Sequence, residues 1–293
     1  MVAARADRLH PSHLLRSTTY AMRTGVVGDV ENAAVAHALM TAFRDVAAAW
    51  EARAAAWLYV PRRSTILAEV LSKAGYLAAT LGGRCALPIR WRSFDDYVAS
   101  FPHKRRASVR TELRAPAAHG LSTSVLDGAR FREQIDELAP LFANLQRKYG
   151  HDPEGAHETL EWIVTNFRDL AGAVVVSDGA SPVAFHVFYR LEDVLYAYLG
   201  RQRYDPLARQ TFAYFHAMFY EPIKMAIRLG VQRIEYGIGT YEAKIKRGCK
   251  VDPVSGFFHF GTEMEPAVAR LLALRDAAEE RRLQSYAAHR RPD

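Results

Sequence analysis

The sequence predicts a mixed α/β (α+β) fold in which a mostly antiparallel sheet is flanked by helices. Three observations predict it. Residues 173–177, 183–189 and 194–200 form three closely spaced apolar runs, separated by Asp178-Gly179 and by the turn at 191–193. Two helical stretches precede this block, and a helix and a short strand follow it. Within 183–189, Val183, Phe185, Val187 and Tyr189 share one face, while Ala184, His186 and Phe188 share the other.

The elements follow in order. Residues 31–53 are alanine-rich, with Val35, Leu39, Phe43, Val46 and Trp50 at helical spacing. A strand at 55–60 ends at Pro61. Ser64 is placed to cap a second helix that stops at Gly75. Residues 76–89 read as two strands joined by a Gly82-Gly83 turn. A cationic helix spans 94–114, and 116–120 reads as a boundary, which gives domains 1–118 and 119–293. Helices at 131–149, kinked at Pro140, and at 157–170 lead into the three strands. Beyond them lie a polar segment at 201–209, a helix at 211–229 ended by Gly230, a strand at 233–236 and a glycine turn at 237–239. In the 211–229 helix, Phe212, Phe215, Phe219 and Ile223 form a core stripe. A last helix, 266–288, carries Glu279, Glu280, Arg281 and Arg282, read as a solvated face. The first ninety residues have the outline of a weaker copy of the later block, without a residue-level repeat.

Composition narrows the function. Apolar residues are 49% and charged residues 24% of the 293, which is globular rather than disordered. No apolar run reaches the roughly 20 residues of a membrane span. The N-terminal segment carries Arg5, Arg8, Arg16 and Arg23 with no apolar stretch, and is read as a peripheral end rather than a signal peptide. Cys85 and Cys249 are too few and too far apart for a disulfide framework or a zinc site, so reduced thiols and a cytoplasmic setting are expected. Lys and Arg total 39 against 32 acidic residues, which favours anionic partners. No Gly-x-Ser-x-Gly nucleophile motif is present.

The C-terminal half has a layout of its own. Tyr198-Leu199-Gly200 is followed by the polar loop, an aromatic helix ending in Arg228-Leu229-Gly230, and the strand Arg233-Ile234-Glu235-Tyr236-Gly237. Then comes Tyr241-Glu242-Ala243-Lys244-Ile245-Lys246-Arg247-Gly248-Cys249, with Lys244 and Gly248 forming a Lys-x-x-x-Gly motif. Upstream, Phe94-Asp95-Asp96-Tyr97 precedes Lys104-Arg105-Arg106 and Arg110. Over roughly residues 55–260 this resembles the FemAB-like (BioF2-like) branch of the GNAT superfamily. The resemblance implies tandem GNAT-like halves, the C-terminal one better formed. It also implies attack of an amine or hydroxyl on an activated acyl group. The donor is an acyl-CoA or an aminoacyl-tRNA used as co-substrate, with no permanently bound cofactor and no metal. The acceptor is a small molecule or a cell-wall precursor, in a biosynthetic setting. The chain departs from ordinary GNAT enzymes at their glycine-rich pyrophosphate loop, where 201–209 has three arginines and no glycine. It also has Ala243 where the family often has Phe.

Acyl transfer from a thioester or ester needs an oriented nucleophile, a proton acceptor and a cation or donor at the developing oxyanion. Lys244, matched to the family lysine, is the candidate cation; otherwise it is a lysine in a basic loop. His186 is a candidate base or a buried core histidine. Tyr198, beside Tyr196 on one strand face, is a candidate acid or a packing residue, and Glu242, with Glu235, a candidate proton acceptor or a surface carboxylate. Arg201, Arg203, Arg209, Lys246 and Arg247 are candidate donor-phosphate ligands. Lys104, Arg105, Arg106 and Arg110 would track a polyanion such as tRNA, or form a solvated helix face. The competing function is a non-catalytic binding module on a degenerate GNAT scaffold. It is favoured by the missing glycine loop and the basic helix.

Overall fold

The computed structural model describes residues 15–16, 29–148, 155–260 and 265–287. The N-terminal Arg5, Arg8 and Arg23 lie outside them. Nine strands are described: β1 (Leu15–Arg16), β2 (Ala54–Pro61), β3 (Leu77–Pro88), β4 (Ser122–Leu126), β5 (Ala171–Asp178), β6 (Ser181–Leu191), β7 (Val194–Gln202), β8 (Arg233–Ile238) and β9 (Lys250–Phe260). The mixed, mostly antiparallel architecture is the one expected.

The chain forms two compact units, and they are not the contiguous halves 1–118 and 119–293. One unit comprises Met1–Cys85, Gly237–Lys246 and Val251–Asp293; the other comprises Ala86–Tyr236 and Arg247–Lys250. The C-terminal residues return to the first unit because β9 pairs antiparallel with β2, from Ala54 opposite Phe260 to Pro61 opposite Val254. A reading along the chain does not see that return.

In the first unit the strand order is β1-β2-β9-β3. Asn32 caps the helix Ala33–Ala49 by accepting from the Ala34 N–H at 3.0 Å. This helix and Thr65–Lys73 bury Ala36, Met40, Leu67, Val70 and Leu71 against Trp57, Val60 and Phe257. Each large aliphatic side chain so buried contributes about 1.5–3 kcal/mol. Ser64 makes no side-chain cap bond to its helix. The expected Gly82-Gly83 turn does not form, and β3 is one continuous strand. A Cβ at Gly82 would lie 2.6 Å from Tyr241 Oη, and one at Gly83 would lie 2.3 Å from Val251 Cγ1. The two glycines serve close approach, not reversal. The helix Glu265–Ala287 is also more than a solvated charge run. Asp276 accepts from the Thr80 N–H at 2.7 Å, Glu280 accepts from the Thr80 hydroxyl at 2.6 Å and from Arg62, and Arg282 lies over the Tyr241 ring.

In the second unit the order is β8-β7-β6-β5-β4, with β4 to β7 antiparallel and β8 parallel to β7. The helices Gly128–Glu133, Ile135–Lys148 and Ala156–Phe167 cover one face. Their Phe131, Leu138, Phe142 and Leu160 pack on Val175, Phe185, Val187 and Leu199. The single helix expected at 131–149 is interrupted at Gln134. The cationic helix expected at 94–114 is also two helices. Phe94–Ala99 is closed by a Ser93/Asp96 capping box, and His103–Ala118 continues through Pro116. The segment at 116–120 lies within the second unit. The helix expected at 211–229 is broken as well. After Pro206–Gln210, Phe212 takes a left-handed φ of 52°, and a π-helical segment, His216–Tyr220, precedes Glu221–Arg228. A bulky residue at positive φ beside a π-turn is an unusual local geometry. Phe219 and Ile223 are fully buried, whereas Phe212 and Phe215 are half-buried, so the expected stripe is core only in its second half.

Candidate active site

In the first unit the Lys244 segment is built on a turn. Strand β8 ends at Ile238, Gly239 and Thr240 follow with positive φ, and the short helix Tyr241–Ile245 begins. Tyr241 is 1% exposed, and its hydroxyl accepts from the Gly83 N–H at 2.8 Å, which fixes the start of the helix. One turn later Lys244 folds back over the same bend. Its Nζ donates to the carbonyls of Gly237 at 3.3 Å and Ile238 at 3.2 Å, and the residue is 2% exposed. Lys244 is thus not a loosely solvated lysine of a basic loop. Burying an ammonium is costly, and the oriented carbonyl dipoles offset part of that cost. Its neighbours differ. Lys246 and Glu242 form an exposed i,i+4 ion pair on the same helix, so Glu242 faces solvent with a cation beside it.

In the second unit His186 and Tyr198 do not meet. His186 is 2% exposed on β6, opposite Gly200 of β7. A Cβ at position 200 would lie 2.5 Å from His186 Cδ2 and 3.1 Å from Tyr214 Cε2, so only glycine admits both rings there. Burial pushes the Tyr214 hydroxyl up to about 12. Tyr198 packs with the opposite face of the sheet, on the cluster that contains Phe185, Val187 and Phe167. It is joined there by Tyr189, whose ring stacks on Tyr196 at 4.7 Å. Glu235 is buried and accepts from Arg233 Nε at 2.9 Å.

The arginines of the 201–209 loop are not a set. Arg201 lies over the Phe142 ring at 4.3 Å and donates to the Gly200 carbonyl at 2.8 Å. Arg203 donates to Asp205 at 2.5 Å, while the same carboxylate caps the following helix through the Ala208 N–H at 2.9 Å. Arg209 is exposed.

A residue missing from the expected set organises two of the expected ones. Glu112, 7% exposed, lies inside the cationic helix His103–Ala118. Its carboxylate accepts from Arg105 at 2.8 Å, from Arg247 at 2.5 Å and from the Tyr220 hydroxyl. Its carbonyl accepts from His216 Nε2 at 2.9 Å. Burial alone would raise the Glu112 pKa, but the Tyr220 hydroxyl and the two guanidinium groups outweigh burial and hold it below the usual carboxylate range. Burial lowers the pKa of His216 and favours the neutral ring. Arg247 is 2% exposed, with its guanidinium 3.5 Å above the Phe215 ring and 4.9 Å from Phe219. Arg247 and Arg105, read as phosphate and polyanion ligands, are therefore committed to a buried carboxylate. Lys104 and Arg110 remain on the exposed side of that helix, and Arg106 donates to the Ala99 carbonyl. The signal in the sequence was a lone acid inside a cationic helix, two turns after an arginine.

A family model described as FemAB-like, peptidoglycan biosynthesis/recognition, matches residues 19–291. The chain belongs to the FemAB-like family. Solved structures share the fold. FemX matches with a TM-score of 0.62 at 13% identity, over 87% of this chain and 82% of FemX. The C-terminal domain of a putative lysylphosphatidylglycerol synthetase from Agrobacterium fabrum matches with a TM-score of 0.59 at 19% identity, over 83% of this chain and 77% of that one. L-PGS from Bacillus licheniformis matches with a TM-score of 0.52 at 16% identity, over 80% and 78%. No curated protein matches the sequence. No described helix is long and apolar enough to cross a membrane.

Proposed function

We propose that this FemAB-like chain is an acyltransferase. It moves an acyl or aminoacyl group from an activated donor, an aminoacyl-tRNA or an acyl-CoA, to an amine or hydroxyl of a small-molecule or cell-wall-precursor acceptor. The observation that carries the reading is the buried Lys244 ammonium, held over a glycine turn by two carbonyls. A cation fixed in this way stabilises charge that develops on a carbonyl oxygen without reorganising during the reaction. The acceptor's lone pair attacks the acyl carbon, the oxyanion forms against the Lys244 ammonium, and collapse breaks the bond to the CoA sulfur or the tRNA ribose oxygen, which leaves with the proton that the attacking amine or hydroxyl gives up. The family's description and the name of the synthetase-like relative point to peptidoglycan or lipid acceptors and an aminoacyl donor.

A second reading, a non-catalytic binding module, has its own support. His186 is packed against Gly200 and Tyr214, and Arg201 and Arg247 are engaged within the protein. One experiment separates the two. Acetyl-CoA and lysyl-tRNA are each added to the full chain, and both native-state stabilisation and donor consumption are followed at low and high salt. A transferase consumes one donor and loses that activity in a folded Lys244→Ala variant, by about 10²–10³-fold. A binding module is stabilised but consumes neither. Stabilisation by tRNA falls steeply with salt, whereas that by CoA changes far less.

A further inference from the structure

We propose that Tyr241 is a positioning residue for Lys244: it holds the glycine turn whose carbonyls carry the lysine's ammonium. The inference rests on the catalytic role given to Lys244 above. Every group it uses lies in the first unit. The need for such a residue follows from the turn itself. The helix Tyr241–Ile245 has five residues, too few to hold its own geometry, because a single turn costs more backbone freedom than its hydrogen bonds return. The turn before it takes positive φ at Gly237 (66°), Gly239 (81°) and Thr240 (46°). For a β-branched residue such as Thr240 that is a strained conformation, and such strain persists only where the surroundings over-determine it.

Tyr241 supplies that constraint. It lies three residues before Lys244, about one helical turn, and both side chains are buried, so they share the inward side of the short helix. Its hydroxyl accepts from the Gly83 N–H at 2.8 Å, which ties the start of the helix to β3. Burial raises the Tyr241 pKa, and the backbone amides of Gly83 and Gly239 pull it back, so the hydroxyl faces the glycine turn as well as the strand. Strand β3 is shaped for that hydroxyl. At Gly82, where φ is 142°, a Cβ would lie 2.6 Å from Tyr241 Oη and 3.0 Å from Ile238 Cγ2. A side chain there would press on the tyrosine and on a residue whose carbonyl holds Lys244.

The ring is held as well. The Arg282 guanidinium lies 5.0 Å from its centroid, and Tyr286 meets it edge-on at 5.4 Å, both from the helix Glu265–Ala287. That helix is itself fastened to β3, because Asp276 and Glu280 accept from the Thr80 amide and hydroxyl. Hydroxyl and ring therefore both lead back to β3, one directly and one through the last helix. Without the hydroxyl, the buried Gly83 N–H loses its acceptor, and Thr240 is freer to relax toward negative φ. Relaxation there rotates the short helix and draws Lys244 Nζ away from the carbonyls of Gly237 and Ile238. A displacement of about 1 Å in a group that must meet a developing charge lowers turnover by about 100-fold without removing the group.

The test compares wild type, Tyr241→Phe and Tyr241→Leu in the full chain. The first variant removes the hydroxyl and keeps the ring; the second removes both holds. Amide hydrogen exchange over 237–246 is read without any ligand, with the helix Ala33–Ala49 of the same unit as reference. kcat and KM are then measured with acetyl-CoA or lysyl-tRNA, whichever the Lys244 experiment shows to be consumed. We expect exchange over 237–246 to accelerate at least about 10-fold more than in the reference helix. kcat is expected to fall by about 10-fold in Tyr241→Phe and about 100-fold in Tyr241→Leu. KM for the donor should stay within about threefold of wild type, because uniform binding is untouched. Should Tyr241→Leu not fold, Tyr241→Phe carries the comparison, since it fills the same space. A residue that served stability alone would speed exchange in both segments together and leave kcat of the folded protein unchanged; either result overturns the proposal. Wild-type kcat in Tyr241→Phe beside an inactive Lys244→Ala removes the positioning role alone. Full activity in Lys244→Ala, or consumption of neither donor, removes the catalytic reading and this proposal with it.

Discussion

The two sides of the helix His103–Ala118 carry the same residue types and do opposite things. On one side Arg105 reaches a buried Glu112 that is shared with Arg247 and Tyr220. On the other, Lys104 and Arg110 stand in solvent. The difference teaches that a basic cluster is not one feature. Desolvation decides which cation becomes structure and which stays available to a polyanion, because a buried charge must be paired and an exposed one need not be.

The strongest way to break this comparison is at its shared carboxylate. Glu112→Ala leaves Arg105 and Arg247 without their common acceptor and is expected to destabilise the protein by about 3–5 kcal/mol in urea unfolding. A loss below about 1 kcal/mol would mean that the network is slack. Next comes the pair of cations. Arg105→Ala should cost about 1–3 kcal/mol, because it removes a charged hydrogen bond to a buried acceptor. Arg110→Ala should stay within about 0.5 kcal/mol. If tRNA is the donor, however, Arg110→Ala reduces the salt dependence of tRNA binding, which Arg105→Ala does not.

Acid sharpens the same contrast. His216 and Glu112 both have folded pKa values held below their ordinary ones. Such groups contribute stability that is fully present above the unfolded pKa and is lost as pH falls through the folded value. Stability should therefore be level from neutral pH to about 9, above which the buried tyrosines, Tyr214 among them, begin to cost stability as the unfolded state loses their protons. It should begin to fall below about 6.5 as the unfolded state takes up the His216 proton, and fall further below about 4.5 with Glu112. His216→Gln should flatten the upper part of that decline and leave the lower part. The smallest effect is at the exposed Lys246–Glu242 pair, where Lys246→Gln should change stability by less than about 0.5 kcal/mol.

How far the sequence foretold this depends on the physics of each part. Strands β5 and β6 were legible because both of their faces are buried, which leaves continuous apolar runs, and β7 because its half-buried residues are still largely aliphatic and aromatic. Strands β4 and β9 were not. The first four residues of β4, Ser122 to Val125, are exposed at the edge of their sheet, and β9 carries Asp252, Pro253 and Gly256. Gly82 and Gly83 read as a turn because glycine marks both reversals and close contacts, and only the packed Tyr241 and Val251 tell the two apart. Lys244 was singled out by its match to the family lysine after a glycine turn, and its burial is what the structure adds. Glu112 was overlooked, because its partner Arg247 lies 135 residues away and the one local sign, a lone acid two turns after Arg105, does not tell a buried ion pair from a solvated one. The π-turn was hidden for a related reason: one extra residue in a helix changes which side chains face the sheet but leaves composition untouched.

The measurement with the most at stake is the single-turnover rate of acyl transfer by Lys244→Ala, with and without added ethylamine, on protein shown to unfold at the wild-type denaturant midpoint. A fixed ammonium at the oxyanion predicts a fall of about 10²–10³-fold, partly restored by the small amine at a pH where it is protonated. Transfer by the variant at the wild-type rate would contradict that role and leave the chain a FemAB-like scaffold whose chemistry lies elsewhere.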